Sequence, residues 1–354
     1  MKPLLCLHFF RSATNAKKKQ WIASLPPEVL TLENQFEKAL LAAFPAPRDW
    51  ERAQQLAHAE TCNAQREGYL ITCFNEPHYP SMLKELPDPP MALMGRGRWP
   101  PFKISLAVVG TRKPTQYGLR AARELTTHLS EYPINFTSGL ALGIDAAVHQ
   151  AALDVGATTT AFLAGGMNHF TPRRHLHLAR ELVEGGGGYF TEQPFSQQPE
   201  RHTFPVRNRL IAGASLATLV LEAARKSGAL ITANQAFHYG REVFALPGAT
   251  NMPMSEGPNA LIADEMASAV VRWEDFPPRF YPMWRKNDGV LGEGEVLEAE
   301  ILSLFPHGRR VKLDHISYRL NQQKSSVYKG LNALMQLGYI ERVGAQTYCR
   351  KTVH

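Results

Sequence analysis

The sequence of 354 residues is poor in cysteine and has no long apolar run. Its four cysteines form no CxxC pair and stand at no metal-ligand spacing from histidine, which argues against a disulfide-stapled secreted chain and against a zinc site. No stretch approaches the roughly 18 apolar residues that a membrane-spanning helix needs, and the run LLCLHFF near Met1 is a poor secretory signal. We therefore expect a soluble, cytoplasmic protein with reduced thiols and no membrane partner.

Two nucleotide-binding signatures are also missing. The segment GTRKPTQYG, which follows the first apolar run of the central region, lacks the GxGxxG pattern of dinucleotide-binding folds. The GxxxxGK[ST] loop of P-loop nucleotide hydrolases is absent as well. These absences argue against NAD chemistry and against ATP hydrolysis by that route, and we expect no cofactor.

The net charge of +7 is concentrated near the carboxyl terminus. Residues 301–354 contain nine basic and two acidic side chains, whereas the preceding 300 residues contain 30 of each sign. Clustered Lys and Arg release counterions from phosphates, so this distribution favours a nucleic-acid ligand. A solvated charged surface is the alternative. Residues 103–270 are nearly neutral, with 14 basic and 13 acidic side chains.

The region from Lys103 to about Val271 alternates short apolar runs with helical stretches. The apolar runs are ISLAVVG, INFTSG, TTTAFLAGG, GYFTEQ, ATLVLEA and EVFALPG. Strands that are apolar throughout and alternate with helices are typical of a parallel sheet covered on both faces. The sequence therefore predicts a doubly wound α/β domain, in which ligands bind outside the carboxyl ends of the strands.

The flanking regions have different compositions. Residues 31–70 are rich in Ala, Leu, Glu and Gln at helical spacing, which predicts a small amino-terminal helical unit, and residues 276–292 are rich in Pro and Gly. The predicted divisions are a helical (SAM/HhH-like) region over 1–78, the α/β domain over 79–275, a linker over 276–292 and a basic module over 293–354.

The basic module is predicted to be a winged helix-turn-helix domain. Its predicted helices are Glu295–Phe305, Leu313–Leu320 and Ser325–Leu337. Two short alternating runs follow, and they meet at Gly344 and Ala345 as in a hairpin. Lys324 and Lys329 belong to the would-be recognition helix and are candidate contacts to duplex DNA or to a partner protein, because a fold does not fix its ligand.

Basic residues follow several of the predicted strands. The loop in AVVGTRKPTQYG leads into a helix near Tyr117, and free backbone N–H groups at the helix start, with Arg112 and Lys113, predict an anion site. The predicted rim of the sheet consists of Arg112, Arg173, Arg174, Arg207 and Arg209. A row of arginines fits the repeated phosphates of a polyanion better than it fits one small metabolite.

Two other kinds of site are compatible with parts of these loops. Asp145 and His149 stand four residues apart and could act with Ser138 in hydrolysis, but a helix-capping acid and a core histidine explain the same residues. The candidates for a metal site are His169, His175 and His177. No acid or cysteine has a suitable spacing from these histidines, so we expect no metal ion.

Six stretches occur in a fixed order between about Tyr79 and Ile262. They read VVGTR…TxYG, SGLAxGIDxxxH, LAGG…TPRRH, FPxRNRxIAGxS, EA…SGxLITAxxA…GRxVFALPG and SxGxNxLI. The series resembles that of the bacterial DNA-processing protein A family (DprA, also called Smf). The resemblance implies an extended Rossmann-like domain that binds single-stranded DNA, protects incoming strands in natural transformation and helps to load the recombinase RecA. It also implies a homodimer without enzymatic activity, and single-strand binding protein is a further candidate partner.

The resemblance also implies which residues contact single-stranded DNA. They are Gly110, Thr111, Arg112, Lys113, Ser138, Gly139, Gly143, Arg173, Arg207, Asn208 and Arg209. Phosphate contacts carry no sequence information, so we expect a low sequence preference. The chain departs from the family at Thr171-Pro172 and His175, where the family has Tyr-Pro and then Asn, and at residues 265–267, which replace Gly-Ala.

Two functions of other classes fit parts of the sequence. The winged helix is compatible with a duplex-DNA-binding regulator, for which deletion of residues 289–354 would abolish binding. Nucleoside-monophosphate phosphoribohydrolases have a related Rossmann-like fold, which keeps a nucleotide-processing enzyme as an alternative. Those enzymes carry PGGxGT with catalytic acids, whereas this chain reads PGATNMPMSEG, which argues against glycosidic cleavage.

Overall fold

A computed structural model describes residues 2–99, 104–276, 310–320, 322–336, 340–344 and 346–350, together with Leu297, Ile301 and Leu304. The chain divides into two compact units. The larger contains residues 1–130 and 134–273, and the smaller contains residues 131–133 and 274–354.

Within the described residues, the larger unit is built on a nine-stranded sheet. Its strands are β1 (Leu70–Cys73), β2 (Ala92–Gly97), β3 (Ile104–Val109), β4 (Ile134–Ser138), β5 (Thr158–Phe162), β6 (Gly188–Thr191), β7 (Ala217–Val220), β8 (Glu242–Ala245) and β9 (Ser268–Ala269). They lie in the order β1-β2-β6-β5-β4-β3-β7-β8-β9. All neighbours are parallel except β1 with β2 and β2 with β6. The predicted mostly parallel α/β sheet is confirmed.

Helices precede the sheet and connect its strands. They are α1 (Pro3–Phe9), α2 (Asn15–Ser24), α3 (Glu33–Ala43), α4 (Pro47–Glu67), α5 (Ser81–Lys84), α6 (Gln116–Leu129), α7 (Ile144–Asp154), α8 (Leu176–Glu184), α9 (Thr203–Gly213), α10 (Gly228–His238) and α11 (Glu256–Ala263). From β3 onward, one of the helices α6 to α11 lies in each connection between consecutive strands, as the right-handed crossovers of a parallel sheet require.

The central strands are buried along their whole length. Every residue of β4 and β7 is buried, and burial on both faces explains why apolar and β-branched residues predominate in these runs. Most polar side chains in this interior are paired, because an unpaired buried polar group is costly, although the Thr218 hydroxyl of β7 has no partner among the described residues. For example, the hydroxyl of Thr160 donates to Oδ1 of Asn135 at 3.0 Å.

The chain reverses its direction across the sheet next to β3. From β3 the chain adds β4, β5 and β6 on one side, and it adds β7, β8 and β9 on the other side. In open α/β sheets, ligands bind outside the carboxyl ends of the strands at such a switch point. The loops that follow β3, β4, β5 and β7 are therefore the expected ligand-binding region.

The amino-terminal helices pack directly on one edge of the sheet. Apolar side chains of α1 to α4 form one cluster with Cys73 of β1 and Met94 of β2. His8 of α1 donates from Nε2 to the carbonyl of Glu192 at 2.7 Å, and its Nδ1 accepts from the backbone N–H of Ala92 at 3.3 Å. The sheet already begins at β1, so the structure does not separate a helical region from an α/β domain at residue 79.

The smaller unit contains β10 (Arg310–Lys312), α12 (Leu313–Leu320), α13 (Lys324–Gln336), β11 (Ile340–Gly344) and β12 (Thr347–Arg350). The strands pair antiparallel in the order β10-β12-β11. The two helices and the hairpin agree with the predicted elements. The predicted linker over 276–292 and the predicted helix Glu295–Phe305 lie almost entirely outside the described residues, and the winged helix stays a prediction.

Candidate functional site

A pocket of about 160 Å³ opens beside the loops that follow β3, β4 and β5. Its apolar walls are Leu142, Leu163, Pro172, Pro199 and Phe204, and its cationic groups are Arg112 and Arg207. Pockets for drug-sized molecules measure roughly 300–1,000 Å³, so this one accommodates a single group of a larger ligand. The combination of guanidinium groups with apolar walls suits a phosphate group and its attached sugar or base.

Phe204, the second residue of α9, lies between the two arginines of the pocket. The guanidinium carbon of Arg112 is 5.2 Å from the centroid of the Phe204 ring, and that of Arg207 is 6.0 Å from the same centroid. Both distances are within the range of cation–π attraction. The ring therefore favours holding two groups of like charge at one pocket, where they would otherwise repel each other.

Arg207 is buried, and backbone carbonyls and an acid compensate its charge. Its Nη1 donates to the carbonyls of Gly139 at 2.7 Å and Phe162 at 2.6 Å, which joins the ends of β4 and β5. Burial lowers the pKa of Arg207 to about 10, and the nearby Asp145 carboxylate opposes the decrease. Arg207 thus remains charged at neutral pH and organises the pocket from inside.

Asp145, in the first turn of α7, fixes the backbone that follows β4. Its Oδ2 accepts from the N–H groups of Gly139 at 3.1 Å and Ala141 at 3.3 Å. Burial raises the pKa of Asp145, while the Arg207 charge and these hydrogen bonds oppose that increase. These bonds go to the loop before α7 and not to N–H groups of the helix, so Asp145 supports the loop and does not cap the helix as predicted.

Two of the predicted glycines are required by close packing. A Cβ atom on Gly139 would lie 2.6 Å from Nη1 of Arg207 and 2.7 Å from Oδ2 of Asp145. Gly143 has a φ of +82°, and a Cβ atom there would lie 2.3 Å from the carbonyl oxygen of Thr111. Both glycines therefore let the loops after β3 and β4 pack around the buried Arg207 and Asp145.

One part of the predicted anion site, the free N–H groups at the start of α6, is wrong, because the protein's own carboxylate occupies that place. Oε2 of the buried Glu222 accepts from the N–H of Thr115 at 2.9 Å, and its Oε1 accepts from the Thr115 hydroxyl at 2.5 Å. The Thr115 hydroxyl oxygen in turn accepts from the next helical N–H groups, of Tyr117 and Gly118. The N–H of Thr111 donates to the Glu222 carbonyl at 2.7 Å. These groups are not free for a phosphate.

Three more predicted residues have packing roles. Gly110 is packed so closely that a Cβ atom would lie 2.6 Å from the Ile144 side chain. Ser138 is fully buried, and its hydroxyl donates to the carbonyl of Val108 at 2.7 Å. Asn208 is partly exposed, and its amide donates to the carbonyl of Gly228 at 3.3 Å.

The prediction that Arg209 lies on the open rim is wrong. Arg209 is only 7% exposed, and its guanidinium forms a buried ion pair with Glu192. It also donates to the backbone carbonyl of Asp88 at 2.8 Å. Arg209 stands two residues after Arg207 on α9, and such residues point in nearly opposite directions around a helix. Arg209 thus ties α9 to the end of β6 and to the segment before β2.

The remaining basic residues of the predicted rim are exposed. Arg112 and Lys113 follow β3, whereas Arg173 and Arg174 begin a 3-10 turn in the connection after β5. No side chain among these four forms a hydrogen bond or an ion pair with a residue in the described part of the chain. The structure thus brings Arg112, Arg173 and Arg174 to one edge of the sheet, as predicted, and leaves their charges available.

In the smaller unit, the two candidate lysines differ in their surroundings. Both are exposed on α13. Lys324 forms an exposed ion pair with Asp314 of α12 at 2.7 Å, whereas Lys329 has no such partner among the residues that the structure describes.

The hydrolytic alternative has no support in the geometry. His149 is fully buried and donates from Nδ1 to the Thr159 hydroxyl at 2.6 Å, while that hydroxyl donates to the carbonyl of Phe136. Burial lowers the pKa of His149 to about 3, and the charges of His175 and Arg207 add to that effect. His149 is therefore a neutral core residue, and the Ser138 hydroxyl is bonded to the carbonyl of Val108.

Two further findings concern metals and membranes. Across the ranges that the structure covers, no group of three or more His, Cys, Asp or Glu side chains is arranged to hold a metal ion. None of the helices in the described part of the chain has the length and apolarity that a bilayer crossing requires.

Sequence reasoning did not single out Phe204 or Glu222 as site residues. Phe204 belongs to the FPxRNR stretch, where an aromatic residue three positions before an arginine on a helix was an available signal. Glu222 accepts hydrogen bonds from Thr115, which stands 107 residues earlier, and no local sequence pattern connects the two residues.

Comparison with protein families and known proteins gives one consistent result. The family model of DNA recombination-mediator protein A matches residues 70–280. The protein Smf of Escherichia coli is 45% identical over 199 residues, which is 56% of this chain and 53% of that protein. DNA processing protein DprA of Bacillus subtilis is 38% identical over 220 residues, which is 61% of this chain and 74% of that protein. The match thus spans about half of the first relative and about three quarters of the second.

Two solved structures are similar to the described fold. DNA processing protein A of Streptococcus pneumoniae has a TM-score of 0.61 and 28% identity, and the match covers 75% of this chain and 97% of that chain. DNA processing protein A of Helicobacter pylori, studied for its single-stranded DNA binding mode, has a TM-score of 0.55 and 24% identity, and the match covers 61% of this chain and 97% of that one. The second likeness is one of fold.

Proposed function

The chain belongs to the DNA recombination-mediator protein A family, and from this premise we propose that it binds single-stranded DNA along the carboxyl edge of its parallel sheet. The proposed function is that of a recombination mediator that protects incoming strands and helps to load RecA in natural transformation. The name of the Bacillus subtilis relative, DNA processing protein DprA, supports the proposal.

The observation that carries the proposal is the exposed guanidinium of Arg112 at the pocket. The Arg112 guanidinium lies over the Phe204 ring and beside the buried Arg207. It forms no hydrogen bond with any residue that the structure describes. The nearby Asp145 carboxylate and two backbone carbonyls offset the Arg207 charge, whereas the exposed Arg112 has no such partner in the described part of the chain. A phosphate bound by Arg112 would place its sugar or base against the apolar walls.

Neighbouring exposed cations extend this contact along a strand. Lys113 lies next to Arg112, and Arg173 and Arg174 lie beyond Pro172, which is part of the pocket wall. Single strands bend easily, and repeated phosphate contacts hold them without reading the sequence. Low sequence preference and a strong dependence of affinity on salt follow from this arrangement.

The proposal includes partners and a cellular setting. The protein would act in the cytoplasm as a homodimer, without catalysis, and would deliver strands to RecA, with single-strand binding protein as a further partner. The buried, neutral His149 and the Ser138 hydroxyl directed to a backbone carbonyl support the absence of hydrolysis.

The test is a titration of fluorescent oligodeoxythymidylate with the full-length protein at several salt concentrations. Arg112→Ala should weaken binding and reduce the slope of log K against log salt by about 0.7, the value for one phosphate contact to a single strand. The matched control is Arg48→Ala, which removes an exposed arginine from α4, away from the pocket. An Arg112→Ala slope equal to that of the control would refute the assignment of this pocket to DNA.

A further inference from the structure

The connection after β7 carries a third exposed basic pair at the same edge of the sheet. Arg225 and Lys226 are both exposed, and neither side chain forms a hydrogen bond or ion pair with any residue that the structure describes. Neither belongs to the set of residues assigned above to DNA. The connection runs from Leu221 to Ser227 and ends at α10.

This connection is fixed to the loop that carries Arg112. Strands β3 and β7 are parallel neighbours, and Val109 is in register with Val220. The hydrogen bonding continues past the strands, because the N–H of Leu221 donates to the Val109 carbonyl at 3.1 Å and the N–H of Thr111 donates to the Glu222 carbonyl at 2.7 Å. The two loops therefore leave the sheet side by side.

The far end of the connection is fixed to the pocket through Asn208. The amide nitrogen of Asn208 donates to the carbonyl of Gly228, the first residue of α10, at 3.3 Å. The amide oxygen of Asn208 accepts from Nε of Arg207 at 3.1 Å. Arg225 and Lys226 thus belong to a short segment that is anchored at both ends to elements beside the pocket.

No acid within the same loop neutralises the charge of Arg225 and Lys226. Glu222 is the only acid between Leu221 and Ser227, it is only 2% exposed, and its carboxylate is bound to Thr115. The carboxylate that excludes a phosphate from the start of α6 therefore leaves the two cations of its own loop facing solvent.

Three exposed basic pairs follow three strands of the sheet: Arg173-Arg174 after β5, Arg112-Lys113 after β3 and Arg225-Lys226 after β7. In the strand order β5-β4-β3-β7, the outer two strands are three spacings apart, which is roughly 14 Å. We propose that Arg225 and Lys226 bind further phosphates of the single-stranded DNA, so that the strand crosses the switch point between β3 and β7. This inference rests on the proposed function.

The test uses the full-length Arg225→Ala/Lys226→Ala variant and oligodeoxythymidylates of increasing length, titrated at several salt concentrations. With long oligomers, the salt slope should decrease by about 1.4, which corresponds to two single-strand phosphate contacts. With the shortest oligomers that still bind, the slope should equal that of wild type, because such strands end before the β7 connection. The matched control is Lys38→Ala/Arg48→Ala, which removes one exposed lysine and one exposed arginine from α3 and α4.

The outcomes separate this inference from the proposed function. A slope for Arg225→Ala/Lys226→Ala equal to that of the control with long oligomers, while Arg112→Ala still reduces the slope, would overturn the inference and leave the pocket assignment intact. An equal loss at every oligomer length would also overturn it, since the pair would then act on the pocket itself. Failure of Arg112→Ala to change binding would overturn the proposed function first.

Discussion

We predict that Phe204 positions Arg112 for the proposed phosphate contact. The Phe204 ring contacts the exposed Arg112 guanidinium at 5.2 Å, and such contacts contribute about 0.5–1 kcal/mol at exposed sites. Phe204→Leu keeps the apolar bulk and removes the ring. Because about 1.4 kcal/mol corresponds to a tenfold change in Kd, loss of this attraction should raise the Kd for single-stranded DNA about 2- to 5-fold.

The assay is a double-mutant cycle measured by fluorescence anisotropy with oligodeoxythymidylate. Phe204→Leu should weaken DNA binding by the wild-type protein. In the Arg112→Ala variant it should cause no further loss of binding, because the ring acts through the Arg112 guanidinium. Phe204→Tyr retains a π face and should bind as wild type does. An equal loss from Phe204→Leu in both backgrounds, with unchanged Tm, would show that the aromatic ring acts on DNA binding independently of Arg112 and would overturn this prediction.

Two further predictions concern buried groups. Arg209→Ala leaves the Glu192 carboxylate buried without its partner and should lower the free energy of unfolding by about 3–5 kcal/mol in urea denaturation, while the protein that remains folded binds single strands nearly as wild type does. Loss of binding at full stability would contradict the structural role of Arg209. His149 stays neutral in the folded protein because burial lowers its pKa from 6.5 to about 3. As the pH falls below 6.5, only the unfolded chain therefore binds a proton at this residue. The free energy of unfolding then decreases by up to about 1.4 kcal/mol per pH unit. His149→Gln should therefore show a shallower loss of unfolding free energy below pH 6.5, and a pH profile parallel to that of wild type would contradict this assignment.

The parallel part of the sheet could be predicted from the sequence because its strands are buried on both faces. Short runs of mainly apolar and β-branched residues, such as those of β3 and β7, admit few other structures when helices separate them. The antiparallel strands β1 and β2 were not predicted. β1 is only four residues long, and β2 ends in Gly-Arg-Gly after a Pro-rich segment, so neither has a pattern that distinguishes it from a loop.

The location of the candidate site was predictable, but the direction of each arginine was not. The carboxyl ends of parallel strands meet at one edge, which correctly placed Arg112 and Arg173. Arg207 and Arg209 lie on α9, where two positions correspond to about 200° around the axis, so both cannot point to one rim. Their partners, Asp145 and Glu192, come from distant parts of the chain and have no local signal.

The central claim is that single-stranded DNA binds at the sheet edge of the larger unit. The direct measurement is a competition experiment, in which unlabelled single-stranded or duplex DNA displaces a labelled single strand from full-length wild type, Arg112→Ala and Lys324→Ala/Lys329→Ala. We expect that single strands compete far better than duplex, that Arg112→Ala weakens binding, and that the α13 variant binds nearly as wild type does. Equal competition by duplex, with binding lost in the α13 variant and retained in Arg112→Ala, would contradict it.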